Sequence, residues 1–249
     1  MIIIKSPQEV GAMRRAGSMV GRFFEEVREK VRPGITTYHL EEFAEEFVSR
    51  HGVRAAFKGY LGYPASLCTS VNEEVVHGIP SRSRELREGD IVSLDFGVLC
   101  DGFYGDAART FPVGRISDSS RRLIETTERA LDRAIEASVP GNRLGDISAA
   151  VQETAEAAGF SVVRDFVGHG IGRMLHEDPQ VPNFGSRGSG PKLLPGMVLA
   201  IEPMVNEGNH PVEVLPDGWT VVTRDRKRSA HAEHMVAVTE EGTLVLSLP

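Results

Sequence analysis

The sequence predicts an α+β fold built from two like halves, with central antiparallel sheets covered by helices. Three observations carry this. Landmarks of the first half recur 107 positions later. Each half runs helix, helix, then paired β-type segments. Four acidic residues interrupt or adjoin those β-type segments, one pair per half: Asp95 in IVSLDFGV and Asp106 in FYGDAART, then Glu202 in VLAIEPMV and Glu233 in AHAEHMVAV. A carboxylate in such a run is costly to bury unless it is paired, hydrogen-bonded or bound to a cation.

The elements follow in order. Residues 6–31 read as a helix, with Ser6 and Glu9 as a capping box, Pro7 at the first helical position, and Val10, Met13, Val20, Phe24 and Val27 at helical spacing. A second helix is expected from about Thr37 to His51, closed by Gly52. Strands are expected at Ser66–Val71, Ile91–Val98 and Phe103–Pro112. Helices resume at about Asp118–Ser138 and Leu144–Ala158, the latter closed by Gly159. Strands then cover Met197–Val205, Val212–Leu215, Trp219–Thr223, His231–Thr239 and Leu244–Leu248.

The 107-position shift carries Pro33-Gly34 onto Pro140-Gly141, Gly52 onto Gly159, Gly89 onto Gly196 and Asp95 onto Glu202. It carries Asp106 onto Glu213 rather than Glu233, so the second hairpin must be about 20 residues longer, with Pro216-Asp217-Gly218 as a turn inside the extra length. The expectation is one catalytic domain over residues 1–249, with pseudo-repeat halves at about 6–112 and 117–239.

In the first half, Asp101-Gly102 is a two-residue hairpin signal. That turn pairs Cys100 with Phe103 and sets Asp95 opposite Ala108, so Asp106 becomes the diagonal neighbour of Asp95, ~7–8 Å away on the same face. Two like charges this close would raise one pKa sharply, and a divalent cation removes the conflict. His169, between glycines in VGHGIG, is a fifth candidate. Oxygen-rich sites with one imidazole suit Mn, Fe, Co or Zn. Five donors exceed the three protein ligands of a usual catalytic zinc and fit two ions roughly 3.5–4 Å apart. His77 in NEEVVHGIP and His176 in MLHEDPQVPNF sit in loop-like sequence and are candidates for holding a substrate amide and stabilising an oxyanion.

The bulk numbers exclude other classes. No apolar stretch approaches the ~18–20 residues that span a bilayer, and MIIIKSPQEV is no signal peptide. Cys68 and Cys100 form neither a framework nor a CxxC pair, which suits a reduced, cytoplasmic setting. A net charge of -7 without a basic block argues against dedicated nucleic-acid binding. The cluster Arg224, Arg226, Lys227 and Arg228 reads as a solvated loop.

NEEVVHGIP, LDFGVLCDGFYGDAARTF, VGHGIG, LHEDPQVPNF, GMVLAIEPM and AEHM together resemble type I methionine aminopeptidases, over nearly the whole chain. The ordered set Asp, Asp, His, Glu, Glu carries that resemblance to the wider pita-bread (creatinase/aminopeptidase-like) superfamily. It implies two divalent ions held by Asp95, Asp106, His169, Glu202 and Glu233, with Asp106 and Glu233 bridging, and Glu202 also shuttling a proton. It implies removal of N-terminal methionine from nascent chains whose second residue is small, in a monomer that touches the ribosome transiently. It places Tyr60, Tyr63, Cys68, His77 and Trp219 around the methionine pocket. Where bacterial members often carry an aromatic residue before the second loop histidine, this chain has Leu175, which leaves one pocket wall less bulky. Two rivals stand beside this reading. A prolidase or aminopeptidase P would share the five ligands but carry an extra N-terminal domain, for which Met1–Ser6 leaves no room. A non-catalytic paralogue would have lost ligands, and all five are present.

Overall fold

A computed structural model describes residues 1–249. The first helix pair is α1 (Pro7–Arg28) and α2 (Thr37–His51), followed by β1 (Arg54–Ala55), β2 (Leu67–Val71), β3 (Glu74–Val76) and the hairpin β4 (Ile91–Cys100) and β5 (Phe103–Pro112). The second pair is α3 (Asp118–Ala137) and α4 (Leu144–Ala157), followed by β6 (Ser161–Val162), β7 (Gly168–Gly170), β8 (Glu177–Val181), β9 (Val198–Ile201) and β10 (Met204–Asn206). The chain then forms β11 (Val212–Val214), β12 (Val221–Thr223), β13 (Ser229–His231), β14 (Glu233–Thr239) and β15 (Gly242–Val245).

One nine-stranded sheet spans both halves in the order β1-β4-β5-β14-β9-β7-β8, with β2 paired to β4 and β15 to β14. Two three-stranded sheets, β13-β10-β6 and β11-β12-β3, flank it. The hairpin register is as expected: Cys100 pairs with Phe103, Asp95 with Ala108 and Gly97 with Asp106. Asp101 and Gly102 both take positive φ in the turn.

Alternation along the strands separates two faces. Val92, Leu94, Phe96 and Val98 of β4 join Phe23, Phe24, Leu40 and Phe47 of α1 and α2 in one buried cluster. Phe23 stacks on Phe96 with ring centroids 3.9 Å apart; truncating either to alanine would cost about 3–5 kcal/mol. Leu199 and Ile201 of β9 join Leu123, Ile147 and Val151 of α3 and α4 in a second cluster. Each half therefore has its own helix-backed core, and the opposite face of the sheet mixes the acidic residues with a third apolar cluster that includes Cys68, Val198, Met235 and Ala237.

The 107-position repeat extends to backbone hydrogen bonds. Gly34 N–H donates to Leu86 and Gly141 N–H to Leu193; Leu86 donates back to Ile35 and Leu193 to Asn142. The bridges Thr36–Glu85 and Arg143–Lys192 match as well.

Boundaries differ from expectation at several places. β4 continues to Cys100, up to the turn at Asp101-Gly102, and β12 begins at Val221. β15 runs Gly242–Val245 rather than Leu244–Leu248, because its register against β14 places Gly242 opposite Thr239. Helix α1 stops at Arg28 rather than residue 31, because Pro33 bars its neighbour from the helical region and the last turn tightens through Lys30 N–H to the Val27 carbonyl at 2.9 Å. The run Met197–Val205 is two strands in two sheets, broken at Glu202 and Pro203. Proline has no N–H for a ladder, and its carbonyl instead accepts from Ala232 at 3.2 Å. That contact also breaks the expected strand His231–Thr239 at Ala232.

Candidate metal centre

All four acidic candidates reach one place on the face away from the helices. Ala108 of β5 pairs with Asp95 on one side and Glu233 on the other. Asp106 lies two residues along from Ala108 and shares its face. His169 pairs with Ala200 across β7 and β9, and Glu202 lies two residues beyond Ala200. Donor atoms of Asp106, His169 and Glu233 converge within 4.8 Å of one another. Nε2 of His169 is 3.6 Å from Oε1 of Glu202, and its Nδ1 meets the Gly170 carbonyl at 2.9 Å. That bond fixes the ring with Nε2 aimed at the carboxylates.

The electrostatics are those of a site that calls for a cation. Burial pushes Asp95 up to about 7 and Glu202 up to about 8. Burial and the neighbouring carboxylates push Asp106 and Glu233 well above their usual range. Burial lowers His169 to about 3, which keeps its nitrogens neutral and free to ligate. Oδ1 of Asp95, Oδ1 of Asp106 and Oε1 of Glu233 are buried with no hydrogen-bond partner. Buried polar atoms are rarely left so. Three orphaned oxygens beside a neutral imidazole fit the donor set that a divalent metal takes.

The centre opens into a cavity of about 170 Å³ that contains every pocket candidate from the sequence: Tyr60, Tyr63, Cys68, His77, Leu175, His176 and Trp219. The edge of Trp219 meets Tyr63 at 5.1 Å between centroids, and His77 lies 6.3 Å from Trp219. His77 takes φ 60, a backbone region that side chains with a Cβ occupy at a cost and that clusters at working sites. Burial lowers it to about 4, so it enters the cavity uncharged near neutral pH. Nδ1 of His176 accepts from or donates to the Tyr60 hydroxyl at 2.7 Å, and its ring lies 4.3 Å from that of His169. Cys68 pairs with Asp95 across β2 and β4; burial and that carboxyl push its thiol well up, so it serves as a small apolar wall and no nucleophile. The cluster Arg224–Arg228 lies elsewhere and is used structurally: Arg226 pairs with Glu213 and Arg228 with the Gly89 carbonyl.

One residue at the centre escaped the sequence reading. Nε2 of His231 lies 3.7 Å from Oε2 of Glu202, so Glu202 sits between two imidazoles. The Thr110 hydroxyl donates to the His231 carbonyl and accepts its N–H, clamping the backbone there. No spacing in the sequence marks it, because His231 and Glu233 fall in separate strands of different sheets, broken at Ala232.

Buried carboxylates joined by imidazole on a rigid sheet, beside a walled cavity with two further neutral histidines, define a metal-dependent hydrolase. The profile of metallopeptidase family M24 matches residues 11–240. The chain is 57% identical over 248 residues to a methionine aminopeptidase of Clostridium perfringens, covering 100% of this chain and 99% of that one. It is 51% identical to methionine aminopeptidase 1 of Bacillus subtilis, covering 99% of each. The methionine aminopeptidase structure from Thermotoga maritima superposes with a TM-score of 0.98 at 49% identity, over 100% of both chains. A prolidase from Pyrococcus horikoshii shares the fold, with a TM-score of 0.78 at 21% identity over 64% of its own length. The chain belongs to metallopeptidase family M24 and, within it, to the methionine aminopeptidases.

Proposed function

We propose that this chain removes N-terminal methionine from nascent proteins whose second residue is small, using two divalent ions held by Asp95, Asp106, His169, Glu202 and Glu233. The observation that carries the reading is the convergence of Asp106, His169 and Glu233 within 4.8 Å at the floor of a cavity walled by Tyr63, Cys68, Leu175 and Trp219. Asp106 and Glu233, on neighbouring strands of one face, would hold the ions together with Asp95, His169 and Glu202. The metal, when bound, supplies Lewis acidity and lowers the pKa of water to near neutral.

The protein groups do the rest. The apolar wall takes the methionine side chain, with Leu175 leaving one side low. His77 holds the scissile amide or the next carbonyl through its neutral ring. His176, kept in place by Tyr60, donates from Nε2 to the oxygen that gains charge as the carbonyl becomes tetrahedral. Glu202 takes a proton from the attacking water and passes it to the leaving amine. The substrates are peptide N-termini delivered in the cytoplasm, with transient ribosome contact, no membrane and no dedicated nucleic-acid partner, and the chain acts as a monomer. No helix is long and apolar enough to cross a membrane.

The test is release of methionine from Met-Ala-Ser by chelated and metal-reconstituted protein, alongside Xaa-Pro peptides. Metal-dependent cleavage of Met-Ala-Ser supports the reading. Cleavage of Xaa-Pro peptides alone would transfer the chain to prolidase-type chemistry, and metal uptake with no hydrolysis of either would leave a binding module.

A further inference from the structure

A buried ion pair stands behind the loop that carries Leu175 and His176. Nζ of Lys5 lies 2.5 Å from Oε2 of Glu177, with side chains 4% and 2% exposed. Glu177 is the residue after His176. Its other oxygen, Oε1, accepts from the backbone N–H of Arg173 at 2.9 Å and of Met174 at 3.3 Å. Lys5 in turn donates its backbone N–H to the Gly196 carbonyl at 2.7 Å, in the turn that leads into β9 and Glu202. The two side chains close over Gly172, where an added Cβ would fall 2.5 Å from Cε of Lys5 and 2.6 Å from Oε1 of Glu177.

We infer that Lys5 and Glu177 form a positioning device for His176: the ammonium fixes the carboxylate, the carboxylate ties down residues 173 and 174, and the short loop can then present His176 in one orientation. The inference rests on the role proposed above for His176. Two physical arguments support it. Burying both charges costs several kcal/mol before their attraction and hydrogen bonds offset it, so an apolar pair would serve stability as well or better. The carboxylate also satisfies two loop N–H groups that no other residue reaches, which an apolar pair could not do. The ring itself has a single side-chain hydrogen bond, to Tyr60, so its backbone must supply the remaining constraint. Donors aimed at a developing oxyanion lose most of their effect when displaced by about 1 Å.

The experiment is a kinetic cycle on the metal-reconstituted full chain with Met-Ala-Ser. K5M and E177Q should each lower kcat by about 10- to 100-fold, up to the loss given by H176A alone, while KM changes much less than kcat, since Tyr63, Cys68 and Trp219 of the methionine wall stand on other segments and only Leu175 shares the loop. Both single variants leave a buried charge unpaired, and their Tm should fall by roughly 6–20 °C. The double variant Lys5→Met with Glu177→Met recovers part of the lost Tm because no charge remains buried, yet kcat stays low because the loop N–H groups have lost their acceptor. In an H176A background, the same changes should have almost no further effect on kcat. A double variant with wild-type kcat, or single-variant losses that persist undiminished beside H176A, would overturn the positioning role. Wild-type kcat in H176A alone would instead overturn the His176 assignment on which it rests.

Discussion

The two halves of the sheet start from one template and end with different chemistry. In the first half, β4 and β5 form an unbroken ten-rung hairpin closed by Asp101-Gly102. Asp95 and Asp106 sit mid-strand and short-armed, Asp95 held between β2 and β5 and Asp106 paired with Gly97 of β4. In the second half the cognate strands break, at Glu202-Pro203 and at Ala232, and an extra sheet is spliced in between. Glu202 lies just past the end of β9, one methylene longer than Asp95, with His169 and His231 on either side. The regular half places two carboxyls mid-strand. The irregular half places a carboxyl just past a strand end, an imidazole on β7, and Trp219 on the inserted segment. The asymmetry proposed between Asp95 and Glu202 thus follows from where the strand is interrupted.

The comparison breaks first at its central pair. E202Q should lower kcat by about 10²–10⁴-fold at saturating metal, because the amide cannot carry the proton. D95N should lose metal affinity, measured by titration calorimetry, and regain most of its kcat when metal is raised. Equal behaviour of the two variants would mean that the break at Pro203 confers nothing. Next in size are the loop histidines. H176A should cut kcat by about 10²–10³-fold with little change in ground-state peptide affinity, whereas H77A should act on KM as well, since that ring holds the amide in both states. Smaller still is W219L, which trims a pocket wall supplied by the inserted segment. It should raise KM for Met-Ala-Ser by about 10-fold with kcat near wild type; an unchanged KM would make Trp219 a packing residue.

Much of this was legible in the sequence because the repeat is local and the turn chemistry explicit. Gly34 and Gly141, Gly89 and Gly196 keep the same positive φ, so a constant offset located both cores and matched Asp95 to Glu202. The Asp101-Gly102 turn fixed the register and hence the face of Asp95 and Asp106. The pocket residues came with the family resemblance. The two- and three-residue strands β1, β3, β6 and β7 stayed hidden because they are shorter than any hydrophobic period and form only by pairing with distant partners, whereas β11 and β12, equally short, fell within expected strands. His231 was hidden for a related reason: its place beside Glu202 depends on a strand break that brings Pro203 against Ala232. The Lys5–Glu177 pair joins positions 172 apart, which no spacing rule addresses.

The smallest effect separates the halves by proton count. In the metal-free protein, burial raises Asp95 from 3.8 to about 7 and Glu202 from 4.5 to about 8. A carboxyl raised in the folded state keeps its proton after the unfolded chain has released it, so the folded state binds more protons in that window and stability falls as pH rises. The histidines oppose this chiefly at lower pH. His169, lowered to about 3, His77 and His234, lowered to about 4, and His176 and His231, also lowered by burial, favour the fold increasingly until the unfolded imidazoles finish titrating about a unit above 6.5. Between pH 6.5 and 8 the buried carboxyls, with Asp106 and Glu233 adding to Asp95 and Glu202, outweigh that fading opposition, and the Tm of chelated protein should drop. D95N should remove the lower part of that drop, toward pH 7, and E202Q the upper part, toward pH 8. Saturating divalent metal should abolish the drop by favouring the ionised forms. A metal-free Tm that is flat or rises from pH 6.5 to 8 would show that neither half holds its carboxyl protonated, and that the apparent difference between them begins only once metal is bound.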